Sequence, residues 1–100
     1  MDESELLRRY GAGERNFSGI RLAFSRLAGS QLPGVNLSRV SLFSARLTGA
    51  DLGAANLSGA NLSGANLSGA FLNITTNTDG MTLCRTIWTD GTLRNDSCPH

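Results

Sequence analysis

A large apolar side chain recurs at every fifth position over more than half of the chain. A period of five fits no straight element. In a helix, at about 100° per residue, these side chains would spiral around every face, and in a strand they would alternate between two faces. The backbone is therefore predicted to turn once in every five residues. The recurring residues are Phe17, Leu22, Leu27, Leu32, Leu37, Leu42, Leu47, Leu52, Leu57, Leu62, Leu67 and Leu72.

A second, smaller apolar residue stands two positions before most of these leucines. A spacing of two is the period of an extended chain, so both side chains of a pair point to the same side. Each repeat is thus predicted to be a short extended wall with one large and one small side chain inward and mostly polar positions outward. The smaller inward residues are Ile20, Val35, Val40, Ala45, Ala50, Ala55, Ala60, Ala65 and Ala70.

Glycine is common two residues after the central leucine, where the chain must turn its corner. Glycine suits a corner because it has no Cβ. Some repeats place another residue at this position, namely Phe24, Arg39, Ser44, Ala54 and Ile74. From these exceptions we predict that the corner does not require a positive φ.

Residues 55–69 read Ala-Asn-Leu-Ser-Gly three times in succession. This motif resembles the A-(D/N)-L-x-x signature of the pentapeptide-repeat family, and the resemblance covers twelve successive repeats, residues 15–74. It implies an all-β fold, a right-handed quadrilateral β-helix with four repeats per coil, about three coils and no interior cavity. We accordingly expect an N-terminal helical cap (1–14), a pentapeptide-repeat solenoid (15–74) and a C-terminal capping tail (75–100).

The segment before the repeats has the features of a short capping helix. Asp2, with Glu5 three residues later, forms a capping-box-like pair. A helix over about residues 3–10 would cover the open first coil near Phe17, since the ends of a solenoid need capping. A membrane-surface helix, the alternative, would need greater length and more positive charge. The side chains predicted to cover the coil are Leu6, Leu7 and Tyr10.

The repeat register breaks after Leu72. Leu83 and Trp88 are again five apart but are shifted by one from the earlier series, which predicts one inserted residue. Residues 83–98 resemble the tail that follows the repeats in some cyanobacterial pentapeptide-repeat proteins, which indicates a small member of cyanobacterial type. The tail is predicted to be ordered and to act as a cap. The residues expected to pack together there are Phe71, Ile74, Ile87 and Trp88.

Cys84 and Cys98 are the only cysteines, and both lie in the tail. We predict a disulfide, which would close a loop of about fifteen residues and add ~3 kcal/mol of stability; two reduced thiols are the alternative. A zinc site would need further ligands, and His100 is the only histidine. A cytoplasmic location is expected because no apolar signal segment is visible. A bridge in a chain that has lost a signal would instead indicate the periplasm or the thylakoid lumen.

Little in the sequence indicates chemistry. The carboxylates show no paired spacing and the histidine has no triad partners nearby, so we expect no enzyme activity, cofactor or metal. No apolar run is long enough to span a membrane. The formal net charge of +1 gives no strong nucleic-acid signal. It also argues against the DNA mimicry by which some family members bind gyrase, a role that needs a strongly acidic surface.

Two groups of outward residues are candidates for binding. Stacking four repeats per coil places Arg26 and Arg46 in one column, with Arg21 and Arg39 elsewhere on the first two coils. An arginine face of this kind can bind carboxylate or phosphate groups bidentately. The second group is an exposed aromatic pair predicted to touch diagonally, which either binds a partner or is covered by the N-terminal helix. The pair consists of Phe24 and Phe43.

These observations favour a non-enzymatic structural or protein-interaction module whose partner is another protein of unknown identity. The alternative is a regulatory binder of an anionic ligand or nucleic acid through the arginine face. An incompletely capped solenoid end would also allow a homodimer.

Overall fold

The computed structural model describes residues 1–98; the last two residues of the predicted tail, including His100, lie outside the described residues. The regular elements are one helix, α1 (Glu3–Gly11), and two short strands, β1 (Thr86–Ile87) and β2 (Leu93–Arg94). The chain between α1 and β1 consists of single β-bridges separated by tight turns.

Helix α1 begins at a capping residue and closes the N-terminal end of the repeats. The side chain of Asp2 accepts a hydrogen bond from the Glu5 amide at 2.9 Å, as the sequence indicates. Leu6 is fully buried, and Tyr10 packs partly buried against the same core. Leu7 stays 38% exposed, so the prediction that it covers the first coil is wrong. It lies about 100° around the helix from Leu6 and therefore points away from the repeats.

Parallel β-bridges join residues twenty positions apart, and the joined residues fall into four columns along the stack. Each run of four repeats therefore forms one coil, in which every outward residue lies over its counterpart in the next coil. We name the faces by these columns. Face one carries Asn16, Asn36, Asn56 and Asn77; face two Arg21, Ser41, Asn61 and Thr82; face three Arg26, Arg46, Asn66 and Ile87; face four Gln31, Asp51 and Phe71.

Backbone hydrogen bonds hold neighbouring coils together and run along the stack. The central leucine of a repeat donates its amide proton to the next coil, as from Leu37 to the Asn56 carbonyl at 2.8 Å. The outward residue donates in the opposite direction, as from Asn56 to the Val35 carbonyl at 2.9 Å. Because this pattern recurs from face to face, neighbouring coils satisfy each other's backbone groups.

The interior is filled by the side chains that the fivefold pattern assigns to it, which confirms the inward assignment. Each recurring large residue from Phe17 to Leu67 is at most 2% exposed. The small residues two positions earlier are buried beside them, with Val35 and Ala50 fully buried, except Ile20 in the first coil, which is half-buried. Leu72 is only half-buried, because the regular stacking changes immediately after it.

The backbone angles at the corners contradict the prediction that a corner does not require a positive φ. Four of the non-glycine corners have a positive φ: 62° at Phe24, 55° at Arg39, 56° at Ser44 and 58° at Ala54. The corner therefore does require the left-handed backbone, because the hydrogen bonds to the next coil impose the same turn on every residue there. A side chain in this conformation costs about 1–2 kcal/mol. Ile74 avoids it, since the chain leaves the regular repeat at that point.

Replacing Ala54 by glycine should raise the free energy of unfolding by about 0.5–1 kcal/mol, because relief of backbone strain outweighs the added freedom of the unfolded chain. The alanine is exposed, so the change removes no packing. Ala28→Gly is the matched control, at an exposed position outside the positive-φ set. It should lower stability. Equal losses for the two variants in urea unfolding would show that the corner is not strained.

One residue is inserted between faces four and one, as the register shift predicts. Beyond it the bridges join residues twenty-one positions apart, as Asn56 with Asn77. The Asn73 side chain accepts a hydrogen bond from the Ala54 amide at 3.1 Å, and the Thr76 hydroxyl donates to a carbonyl of the preceding coil at 2.9 Å. These side chains replace backbone contacts that the insertion interrupts.

The tail does not cover Phe71 and Ile74, contrary to the sequence-based expectation. Phe71 is 54% exposed and Ile74 is fully exposed. The reason is that the ladder of bridges continues on faces one to three, so Ile87 stacks on face three rather than over face four. Phe71 lies along its own face instead, close enough that a Cβ added at Gly53 would meet its ring at 3.0 Å.

Residues 95–98 lie against face two, where side chains of this segment take the place of a further coil. The amides of Leu83 and Arg85 donate to the side-chain oxygens of Ser97 and Asn95, each at 2.8 Å. In the coil before, the Leu62 amide donates instead to a backbone carbonyl of the following coil. Two tail side chains thus act as acceptors where no further coil follows.

A disulfide between Cys84 and Cys98 ties this cover to the coil beneath it. Strands β1 and β2, which lie between the two cysteines in sequence, pair antiparallel. The turn that joins them is closed by Asp90, which accepts hydrogen bonds from the hydroxyl and amide of Thr92. These two bonds lower the pKa of Asp90.

Candidate interaction surface

The described part of the chain contains no pocket, and its histidine, cysteine and acidic side chains form no cluster able to hold a metal ion. Among residues 1–98, no helix is long and apolar enough to cross a membrane. The interior is filled by side chains, so the candidate surface is built from outward residues.

The two outward phenylalanines of the first two coils touch each other, as the stacking predicts. The ring centroids of Phe24 and Phe43 lie 5.6 Å apart, and the ring planes meet at 80°, an edge-to-face contact. Phe24 is 68% exposed and Phe43 is 43% exposed. Helix α1 therefore does not bury the pair, and the expectation that it covers these rings is wrong.

The four arginines of the first two coils are exposed and have no partner within the described residues. The side chains of Arg21, Arg26, Arg39 and Arg46 make no hydrogen bond or ion pair with any of residues 1–98. Other arginines form ion pairs. Arg9, for example, pairs with two glutamates of the N-terminal segment. The hydrogen bonds that the Arg9 guanidinium donates to the Glu14 carboxylate raise the pKa of Arg9 further above its usual value.

The fold places the candidate arginines and phenylalanines on two adjoining faces of the first two coils and at their corners. Arg39 stands at the corner that leads into face two, and Arg21 lies on that face, bridged to Ser41. Phe24 stands at the corner that leads out of face two, and Arg26 follows it on face three. We call this set the arginine–phenylalanine surface. Its members are Arg21, Phe24, Arg26, Arg39, Phe43 and Arg46.

The surface carries charge of one sign. Residues 15–50 contain five arginines and no acidic residue, and the first acid after them is Asp51, on face four. The Asp51 carboxylate also accepts a hydrogen bond from the Gly53 amide at 3.0 Å, within its own turn. The positive side chains therefore meet no counter-charge on the two faces where they lie.

Two members of the surface stand at strained corners. Phe24 and Arg39 adopt positive φ in columns that also contain glycine, Gly19 one coil before Arg39 and Gly64 two coils after Phe24, with Ser44 between. Glycine would make the same turn without strain. Backbone strain of this kind persists where the fold over-determines it, and it clusters at sites that bind. Sequence reasoning missed this signal, because it interpreted the non-glycine corners as evidence against positive φ.

Face one is different in its first two coils, where the outward asparagine side chains bond to each other. The Asn36 amide group donates to the Asn16 side-chain oxygen at 3.2 Å, linking successive coils. Asn36 and Asn56 also accept hydrogen bonds from the serines two residues later. The bond between Asn36 and Asn16 links two coils. The arginines on faces two and three make no such bond within residues 1–98.

Comparisons with known proteins point to a single family. A sequence profile described as pentapeptide repeats matches eight copies over residues 16–52 and 41–73. The crystal structure of alr5209, a pentapeptide repeat protein from Nostoc PCC 7120, is 31% identical with a TM-score of 0.58, covering 81% of this chain and 74% of that one. A search of curated proteins found no match.

Two further solved structures are similar at lower TM-scores. HetL, a pentapeptide repeat protein involved in heterocyst differentiation regulation in Nostoc sp. strain PCC 7120, is 26% identical with a TM-score of 0.46. The match covers 79% of this chain but 43% of HetL. A pentapeptide repeat protein from the Arabidopsis thaliana thylakoid lumen is 33% identical with a TM-score of 0.34, covering 82% of this chain and 67% of that one.

Proposed function

The chain belongs to the pentapeptide-repeat family, and we propose that it is a non-enzymatic interaction module that binds another protein through the arginine–phenylalanine surface. The observation that carries the proposal is the pair of strained corners. Phe24 and Arg39 hold exposed side chains at positions where glycine makes the same turn without strain. Ser44 and Ala54 have the same backbone strain outside the surface, so what distinguishes Phe24 and Arg39 is a large, exposed side chain at the strained corner, which is explained if that side chain is needed for binding.

The proposal includes the architecture that presents this surface. Membership of the family, together with bridges at a spacing of twenty, supports a right-handed quadrilateral β-helix. We propose three complete coils, residues 16–76, followed by three faces of a fourth. In this arrangement the tail both extends the solenoid and caps it, while α1 caps the other end.

An exposed aromatic pair bordered by arginines has the composition of a binding hot spot. Aromatic residues and arginine are enriched at interface centres, because they combine large contact area with directional hydrogen bonds. The edge-to-face contact pre-organises both rings, so little side-chain freedom remains to be lost on binding. A flat β-wall also provides a rigid support for these side chains.

A photo-crosslinking amino acid at Ala23 tests the proposal in an extract of the source organism. Ala23 is exposed beside Phe24 on face two, and Gln31, exposed on face four of the same coil, is the matched control position. We expect a discrete heavier adduct from position 23 alone. The adduct should disappear when the remaining surface is altered by Arg26→Gln with Arg46→Gln. Equal labelling at both positions, or none at either, would overturn the proposed function.

A further inference from the structure

Arg26 and Arg46 form a stacked pair of like charges. They are partners in one parallel bridge on face three, at the strand spacing of roughly 4.8 Å. Like charges placed directly opposite each other in a sheet are destabilising. The next residues of the column are Asn66 and Ile87, so the charge is confined to the two coils that carry the aromatic pair.

From this arrangement we infer that the surface binds an acidic segment of a partner protein, whose carboxylates pair with Arg26 and Arg46 and whose apolar side chain packs on Phe24 and Phe43. This inference rests on the proposed function and adds the chemistry of the partner. A carboxylate accepts two parallel hydrogen bonds from one guanidinium, and its negative charge removes the repulsion between the stacked pair. Binding therefore supplies the counter-charge that residues 15–50 lack.

The apolar part of the site lies at the edge of the charged part. Phe24 is the more exposed of the two rings. Ala23, which precedes it in sequence, is also exposed. An aliphatic or aromatic side chain of the partner would bury area against these groups, whereas a free anion would leave them in water. The combination of the two chemistries favours a peptide over a small inorganic anion.

The same geometry disfavours a nucleic acid. Single-strand binders present aromatic faces on which successive bases stack, and two rings that meet at 80° do not offer parallel faces. Affinity for a nucleic acid also grows with the number of phosphates neutralised. Four arginines in a chain of net charge +1, with eight acidic residues on its other parts, provide few such contacts.

Fluorescence anisotropy with labelled peptides tests the inference. The probes are a set of short peptides in which Glu and Asp at varied spacing flank one Leu or Phe, their Gln and Asn counterparts, and a single-stranded oligothymidine. We expect the best acidic peptide to bind at least about tenfold more tightly than its amide counterpart, and added salt to weaken it. Arg26→Gln with Arg46→Gln should abolish that preference, and Phe24→Gly should weaken binding without removing it.

Arg85→Gln is the matched control, because Arg85 is exposed, has a positive φ of 52° and makes no side-chain hydrogen bond or ion pair within residues 1–98. It should leave the affinity unchanged. In a charge-swap variant, Arg26→Glu with Arg46→Glu, the preference should invert toward a lysine peptide with the same apolar residue. Circular dichroism and thermal unfolding of each variant ensure that a loss of binding is not a loss of fold.

Three results would overturn the inference: equal binding of the acidic and amide peptides, tighter binding of the oligothymidine through the same arginines, or an equal loss in Arg85→Gln. These results are separable from failure of the proposed function. If the Ala23 adduct still forms in the extract, the surface binds a protein by other chemistry. If the adduct is absent as well, the surface is not an interaction site.

Discussion

Removal of the disulfide, by Cys84→Ala with Cys98→Ser, should lower the free energy of unfolding by about 3 kcal/mol. The bridge joins residues 14 apart, and a closed loop of this size restricts the unfolded chain by that amount in the chain-entropy model. Apart from the bridge, residues 93–98 are held mainly by hydrogen bonds, since Leu93, their one large apolar side chain, is 60% exposed. Urea unfolding of the oxidised protein and of the double variant measures the difference.

Removal of the bridge should loosen the tail before it unfolds the rest of the chain. Without the bridge, Ser97 and Asn95 are free to leave, and the amides of Leu83 and Arg85 lose their acceptors. Hydrogen exchange at these two amides should accelerate strongly, while the Leu37 amide, which donates to the next coil at 2.8 Å, keeps its protection. Unchanged stability and unchanged exchange in the double variant would show that the tail is held without the bridge.

Leu57→Ala should cost about 2–5 kcal/mol, as large-to-small changes do in a filled core. Leu57 is fully buried and its side chain is not part of the arginine–phenylalanine surface, so the unfolding free energy of the variant reports on packing. The change deletes the large inward side chain of one repeat and leaves a cavity that neighbouring coils cannot collapse to fill, because their hydrogen bonds fix the spacing. Denaturant unfolding measures the loss.

Ser63→Ala is the control for this prediction. Ser63 is half-buried on the outward side, and its hydroxyl makes no hydrogen bond within residues 1–98. Its replacement should change the unfolding free energy by less than about 0.5 kcal/mol, as expected for most surface positions. If Leu57→Ala and Ser63→Ala had equal and small effects, the assignment of leucines to the interior would be wrong.

Much of the fold could be predicted from the sequence because the repeat is so regular. A strict period of five admits one inward position for each leucine, and an N-cap such as Asp2 is a local signal that needs no tertiary information. The one-residue insertion was likewise visible as a shift in register at Leu83. These features depend on neighbouring residues along the chain, which a sequence displays directly.

Other features depend on contacts between coils and were not predictable in the same way. The positive φ of Phe24 and Arg39 is imposed by hydrogen bonds to the coil above, against the local preference of both residues. The exposure of Ile74 follows from where the tail runs after the insertion. The six surface residues come together only because four repeats complete a coil, a number that the family resemblance supplied and the period of five does not contain.

The direction of the hydrogen bonds between coils has a mechanical consequence. They lie along the stack, as between Leu37 and Asn56, so a force that pulls the two ends apart acts on one interface between coils at a time. A force across the stack is shared by the hydrogen bonds of all three interfaces at once. The molecule is therefore expected to resist a force across the stack better than a force that pulls its two ends apart. The Cys84–Cys98 bridge reinforces the end where peeling would otherwise begin most easily.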